Sequence, residues 1–329
     1  MATCILAGDV GGTKSNLALY AVAGDGPIAP LRAASFHSAE FPGLEPIVAA
    51  FLADGGERVA AAAFGIAGPV VGGVVQVTNL GWRVEAEALA RAIGGARVRL
   101  MNDLESTAYG ALYAAADQVC TLQAGAPREG NRAVIAAGTG LGQGLLVWDG
   151  RRYQPAATEG GHADFGPRDA RQDALCAWLR PRLGRVSYES VCSGLGLRHL
   201  FDFLVEGCGR PVDAAVLARV QRGDAGAVIG ELGLTRRCAT CAETLELFVD
   251  IYGAQAGNLA LAGMAVGGVY VGGGIAPKLL PLLRAGAFVA AFLDKAPHRA
   301  LLEGIPVHVL LDPKTALLGA AHAAAELAG

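Results

Sequence analysis

Gly8-Asp9-Val10-Gly11-Gly12-Thr13-Lys14-Ser15 falls one residue short of the phosphate-binding pattern G-x-x-x-x-G-K-[ST], because Thr13 stands where the second glycine should be. A P-loop must also open a helix whose N-terminus faces the phosphates. Here Leu17, Leu19 and Ala21 alternate with Asn16, Ala18 and Tyr20, which is strand spacing, so the P-loop is excluded. A hairpin with adjacent glycines and a threonine hydroxyl can still cradle phosphate, since unhindered backbone N–H groups can point at an anion. Gly8, Gly11, Gly12 and Thr13 are the candidates, and Asp9 could hold Mg²⁺ through water, because that ion keeps several waters and takes few carboxylates. A plain tight hairpin with a solvated aspartate would look the same. Two further turns share the design. Gly138-Thr139-Gly140-Leu141-Gly142 follows the apolar run 133–137, and Gly272-Gly273-Gly274 follows 269–271 and could lie against an adenine or ribose. Asp103 adds an acid–base group, for an aspartate at a strand end can accept the proton of an attacking hydroxyl, worth roughly 10²–10⁴ in rate. It could equally cap a helix starting at Leu104.

The elements that must carry these residues alternate. Apolar strands are predicted at 4–7, 16–22, 59–66, 74–77 and 98–101, with helices at 46–52 and 85–93. Strands interleaved with helices imply an α/β sheet. A second cycle then opens: apolar 133–137, glycine-rich 138–144 and apolar 145–148 repeat the plan of 5–19, about 130 residues later. That spacing is too long for a solenoid, whose period is about 20–50 residues, and suggests two domains of related design. Helices are expected from 170 to 263 and from Pro277. Strands at 269–271 and 307–311 and a last helix at 315–327 complete the reading.

Composition narrows the class. Glycine, at 47 of 329 residues, is about twice its usual share of ~7%, pointing to many tight turns. A net charge of −3 with no basic run argues against a nucleic-acid surface. Seven scattered cysteines without a basic leader predict free thiols in a reducing cytoplasm. The uncharged stretch 259–277 nears bilayer length, but Gly272, Gly273 and Gly274 would break it; a buried helix to about Ala265 followed by a strand is expected instead. Cys238 and Cys241 have zinc-like spacing without a second pair, and are expected as thiols on a helix. Ser193 lacks the first glycine of a nucleophile elbow, and His162-Ala163-Asp164 has no third metal ligand at a readable spacing. Trp148 and Trp178 are expected in the core.

Read in order, the motifs resemble the bacterial glucokinase family, among the actin-like, hexokinase-type sugar kinases. The resemblance spans essentially the whole chain: the 8–13 turn, Gly68-Pro69, Thr78-Asn79, Trp82, Asn102-Asp103, 138–142, Glu159-Gly160-Gly161-His162-Ala163-Asp164-Phe165, Glu189, Ser193-Gly194 and 272–274. It implies an α/β, two-domain actin-like (ribonuclease H-like) ATPase fold with an interdomain cleft for glucose. The small domain would be 1–110 plus 312–329, and the large one 111–311. It further implies ATP-dependent phosphorylation of D-glucose at its 6-hydroxyl, with Mg²⁺, in a cytoplasmic homodimer. Asp103 would be the base, with Asn79, Asn102, Asp103, Glu159, His162 and Glu189 at the sugar. Gly8, Asp9, Gly11, Gly12, Thr13, Gly138, Thr139, Gly140, Gly273 and Gly274 would hold the nucleotide.

The residue types suit those roles. Each carboxylate can accept two hydroxyl protons of a hexose, and a neutral His162 can donate to one oxygen while its other nitrogen is fixed. Other readings are a kinase of another hexose or amino sugar, or a sugar-binding regulator without catalysis. Asp103 favours an enzyme. Segment 164–168 has no cysteine, against the zinc motif of the related repressor-and-kinase family, and no DNA-binding extension is read at the start. Lys14 and Leu195 depart from common family residues and bear on loop shape and nucleotide affinity.

Overall fold

The computed structural model describes residues 3–23, 28–53, 55–77, 80–126 and 128–329. Among them the chain forms two compact units: Met1–Ala115 with Pro155–Ala157 and Asp312–Gly329, and Ala116–Gln154 with Thr158–Leu311.

In the first unit, β1 (Thr3–Val10) and β2 (Lys14–Val22) pair antiparallel from Thr3↔Val22 to Val10↔Ser15, leaving 11–13 as the turn. β3 (Ala29–His37) adds a largely exposed edge strand that the sequence reading missed, because neither face shows apolar alternation. α1 (Leu44–Ala53) buries Leu44, Ile47, Val48 and Phe51 at helical spacing. β4 (Val59–Ile66) is buried along all but one of its residues, as a continuous apolar run predicts for a central parallel strand. β5 (Val70–Val71), β6 (Val74–Val77) and β7 (Trp82–Glu85) make a small antiparallel sheet. α2 (Ala86–Ala92), β8 (Arg97–Asn102) and α3 (Asp103–Ala111) follow. The main sheet runs β3-β2-β1-β4-β8.

The second unit holds β9 (Val119–Gln123), β10 (Arg132–Ala137), β11 (Leu141–Trp148) and β12 (Tyr153–Thr158), then α4 (Ala170–Leu183), α5 (Gly194–Asp202), α6 (Ala214–Arg222), α7 (Ala225–Leu234) and α8 (Ala239–Ala262). β13 (Gly268–Gly272), α9 (Leu280–Arg284), α10 (Ala287–Leu293), α11 (Arg299–Glu303) and β14 (Val307–Leu310) complete it. Its sheet runs β12-β11-β10-β13-β14-β9. The repeat read in the sequence is thus real in the sheets. In each, the strand before a glycine turn (β1 or β10) lies between its hairpin partner and a parallel strand (β4 or β13), with another parallel strand beyond (β8 or β14).

Three expectations shift. β11 begins at Leu141, earlier than the apolar run suggested, because strand pairing continues through Gly142 and Gly144. No helix starts at Pro277; residues 273–279 turn, and α9 begins at Leu280. Trp148 and Trp178 are only half-buried, Trp148 against Tyr153 and Trp178 between Phe203 and the Arg182 guanidinium. Stretch 259–277 is the end of α8, a turn and β13; no helix among the described residues is long and apolar enough to cross a membrane.

The chain returns to the first unit as α12 (Thr315–Ala328), which crosses α3 at backbone contact. A Cβ on Gly319 would lie 1.8 Å from the Ser106 carbonyl oxygen, and one on Gly110 1.9 Å from that of Thr315. Here the His322 ring stacks on Tyr113 at 3.4 Å, and burial lowers its pKa to about 4. The fold therefore keeps His322 neutral where the unfolded chain, near 6.5, takes up a proton. Stability should fall as pH drops from about 6.5 to 4 and level off below. The contribution at pH 4.5 is about 1–2 kcal/mol once solvent at the ring is allowed for. Urea midpoints at pH 7 and 4.5 for the protein and His322→Phe check this; an equal pH slope in both would exclude His322 as the source.

Candidate active site

In the first unit the parallel strands end level with one another, Val10 opposite Ile66 and Ile66 opposite Asn102. The 11–13 turn and Asp103 therefore sit on one sheet edge, where ligands of open α/β sheets gather. The turn is closed by Gly11 N–H to the Lys14 carbonyl (2.9 Å) and braced by Ser38, whose hydroxyl donates to the Gly11 carbonyl (2.8 Å). Ser38, which the sequence reading passed over, also donates its N–H to the Thr13 carbonyl. Asp9 accepts from Asn16 Nδ2 at 3.2 Å; burial raises its carboxyl pKa and that bond partly offsets the rise. No group of three or more His, Cys, Asp or Glu that could hold a metal is found among the described residues. One recessed carboxylate fits a hard cation bound through water and phosphate oxygens, not a protein cage.

The cap of α3 is Asn102, not Asp103. Its Oδ1 accepts from Leu104 N–H (2.9 Å), while Glu105 reaches back to the Asn102 N–H as a capping box. Asn102 Nδ2 donates to the Gly68 carbonyl, which explains the Gly68 segment: a loop anchor. Asp103 accepts from the same Leu104 N–H (2.9 Å) and occupies the first helical position, half-buried. Gly65 lets α3 approach, since a Cβ there would lie 2.6 Å from Ser106 Cβ. Asn79 and Thr78 lie outside the described residues.

In the second unit Glu159, His162 and Glu189 come together. The Gly160–His162 turn places His162 Nε2 4.0 Å from Glu159 Oε2, and His162 Nδ1 3.7 Å from Glu189 Oε1. Backbone bonds lace the two segments: Glu189 N–H to the Gly161 carbonyl and Tyr188 N–H to that of Ala163. Glu189 Oε2 also accepts from Leu141 N–H at 2.9 Å and lies where a Cβ on Gly140 would be, 2.5 Å away. The second glycine turn and the Glu/His group are therefore one structure. Ser193 caps α5 through Gly196 N–H and donates to the Glu189 carbonyl, a structural role.

The same turn opens on its other side to a cavity of about 750 Å³, lined by Gly138, Thr139 and Gly274, by Leu195 of α5, and by Asp224, Gly226, Ala227 and Gly230 at α7. Gly138 and Gly274 have nothing within 4 Å of a would-be Cβ, so a ligand can approach them closely, while the Gly138 N–H and carbonyl are bonded to Gly140 and Gly194. Gly273, at φ +80, presses on Ala137, where a Cβ would meet the carbonyl oxygen at 2.3 Å. The α7 wall was missed from sequence, although glycines four residues apart on one helix face are its trace. Cys238 caps α8, its sulfur accepting from Cys241 N–H; both are free, buried thiols.

Two sheets of repeated order, each with a glycine turn at its strand ends, and an acidic group beside the second turn define a sugar kinase of the actin-like ATPase fold. The family model described as Glucokinase matches residues 6–327. The chain is 39% identical over 340 residues to a glucokinase of Nostoc punctiforme, covering 99% of this chain and all of that one. It is 40% identical over 342 residues to a glucokinase of Trichormus variabilis, with the same coverage. The crystal structure of a glucokinase from an Antarctic psychrotroph superposes with a TM-score of 0.85 at 31% identity, covering 98% of this chain and 99% of that one. The chain belongs to the glucokinase family.

Proposed function

We propose that the protein transfers the γ-phosphoryl group of ATP to the 6-hydroxyl of D-glucose, giving glucose 6-phosphate and ADP. Supporting this beyond family membership is the meeting of Glu159, His162 and Glu189 beside the Gly140–Leu141 turn. A sugar hydroxyl both donates and accepts. Two carboxylates and an imidazole gathered at one exposed spot offer matched partners to several hydroxyls at once. The turn that Glu189 ties down also opens to the cavity, which is suited to a nucleotide.

The loose transition state of phosphoryl transfer needs positioning and charge neutralisation more than covalent help. Asp103 accepts the proton of the 6-hydroxyl as its oxygen bonds to the γ-phosphorus and the bond to the bridging oxygen of ADP breaks. Glu159, His162, Glu189 and Asn102, with Asn79, fix the sugar so that the 6-hydroxyl is the one presented. Within the Gly8–Thr13 and Gly138–Gly140 segments, the N–H groups of Gly12, Thr13, Thr139 and Gly140 hold the phosphates, and Gly273 and Gly274 border the base and ribose. The Gly11 N–H instead closes the first turn on the Lys14 carbonyl, and the Gly138 N–H closes the second on that of Gly140. Mg²⁺, held by Asp9 through water, would neutralise the phosphates when bound.

We further propose a small domain of 1–110 with 312–329 and a large domain of 111–311, bounds close to those of the two compact units, which place 111–115 and 155–157 with the first. A cytoplasmic setting accords with seven free thiols, and a homodimer is proposed on family likeness. A coupled ADP-release assay over a hexose and amino-sugar panel, with ATP and polyphosphate as donors, tests the reaction. Glucose with ATP should give the highest kcat/KM; release unaffected by any sugar would end the kinase reading.

A further inference from the structure

α8 crosses under the second sheet, and at its middle Tyr252 is fully buried. Its hydroxyl lies where two parallel strands come apart. β10 and β13 stay paired as far as Ala136↔Gly272, and beyond that pair each strand leaves into its own glycine turn, 138–140 or 273–274. At that fork Tyr252 Oη accepts from Ala137 N–H at 3.1 Å. It lies 3.1 Å from the Ile135 carbonyl and 3.2 Å from that of Gly272, either of which takes its proton. One phenol thus contacts both strands around their last pair, at Ile135 and Ala137 on either side of Ala136 and at Gly272. It stands in for a ladder bond that diverging strands cannot make, where an unpaired buried N–H would be costly.

Ala137 is held from the other side as well. Its carbonyl accepts from Ile275 N–H at 3.2 Å, and Gly273, in the left-handed region at φ +80, folds directly over it. The Tyr252 hydroxyl and the 273–275 loop therefore clamp one residue, Ala137, by its N–H and its carbonyl, and Gly138 and Gly274 beside that clamp line the cavity. No atom of Tyr252 is exposed, so it cannot touch a ligand itself. What it sets is the separation and angle of two loops that face one.

We infer that Tyr252 is a positioning residue for the nucleotide, holding the 138–140 and 273–274 turns in register so that both meet the same ATP. The inference rests on the proposed reading of those turns as the nucleotide site. Glu189 touches the 138–141 turn through one bond, from Leu141 N–H, while its own N–H is held by the Gly161 carbonyl and its carboxylate faces His162, so the sugar should feel the change less than the nucleotide does.

Tyr252→Phe keeps the ring and its packing on Phe248 and Phe288 and removes only the hydroxyl. Expected is a KM for ATP raised about three- to tenfold, with the KM for glucose within twofold of the unaltered protein. Tyr109→Phe, which removes a hydroxyl bonded to Glu326 in the first unit, should leave both KM values alone and serves as the control for a merely structural loss. An unchanged KM for ATP in Tyr252→Phe, or equal rises for both substrates, overturns the assignment. Failure of the unaltered protein to use ATP at all would overturn the nucleotide reading instead. Should Tyr252→Phe not fold, hydrogen exchange on the unaltered protein decides. The Ala137 amide should be protected like the centre of β10 without nucleotide present, and rapid exchange there would overturn the clamp.

Discussion

Asp103→Ala is expected to lower kcat for glucose about 10²- to 10⁴-fold, with glucose binding and folding retained. The separation of effects follows from the local structure. Asp103 is the first residue of α3 and shares the Leu104 N–H with Asn102, whose Oδ1 lies at the same 2.9 Å. Removing Asp103 leaves the capping box of Asn102 and Glu105 in place, and alanine is the best helix former. The stability cost should stay below about 1 kcal/mol, the usual range for losing part of a cap. Turnover should collapse because the neighbouring carboxylates are engaged: Glu105 closes the capping box and pairs with Arg99, and Asp9, near the end of β1, accepts from Asn16. The checks are kcat from coupled ADP release, glucose affinity by calorimetry and Tm. Turnover within threefold of the unaltered protein would remove Asp103 from the proton transfer.

The pairing of Asn102 with Asp103 marks where sequence reading succeeds and where it stops. Strand β8 was visible as an apolar run with polar residues at its end, so the strand end that carries Asn102 and Asp103 was found. Which of two adjacent good caps does the capping was not visible, because Asn and Asp differ little in cap preference; tertiary contact with the Gly68 carbonyl decided it. The glycine turns were legible for a related reason. Glycine where a side chain would collide leaves a mark, and Gly8, Gly161 and Gly273 are all such places. β3 left none, since an exposed edge strand has no apolar face to alternate. The α7 wall of the cavity left only the spacing of Gly226 and Gly230 as its trace, because a cavity arises only from the packing of segments far apart in the chain. The α8 phenol falls in the same class. A tyrosine among sixteen buried residues of one helix looks like any other core aromatic until its hydroxyl is seen at the strand fork.

Gly161→Ala is the second substitution with a large expected effect, and it probes the join between the Glu/His group and the second glycine turn. A Cβ at 161 would lie 1.8 Å from the Leu141 carbonyl oxygen and 3.0 Å from its carbon, a backbone collision that no side-chain rotation relieves. Gly161 also accepts the Glu189 N–H, and Glu189 in turn holds Leu141 N–H. Any shift that clears the methyl must move the 160–162 turn, carrying Glu159 and His162 with it, or push the 138–141 turn toward the cavity. Misplacement of about 1 Å is enough to cost roughly 10²-fold in an oriented reaction, so kcat/KM for glucose should fall at least that far. Gly56→Ala, where a Cβ meets nothing within 4 Å, should keep full activity. The pattern of loss is the informative part. If the 160–162 turn yields, KM for glucose should rise most; if the 138–141 turn yields, KM for ATP should rise with it. Retained activity in Gly161→Ala would mean that these two turns move independently, contrary to the bonds that join them.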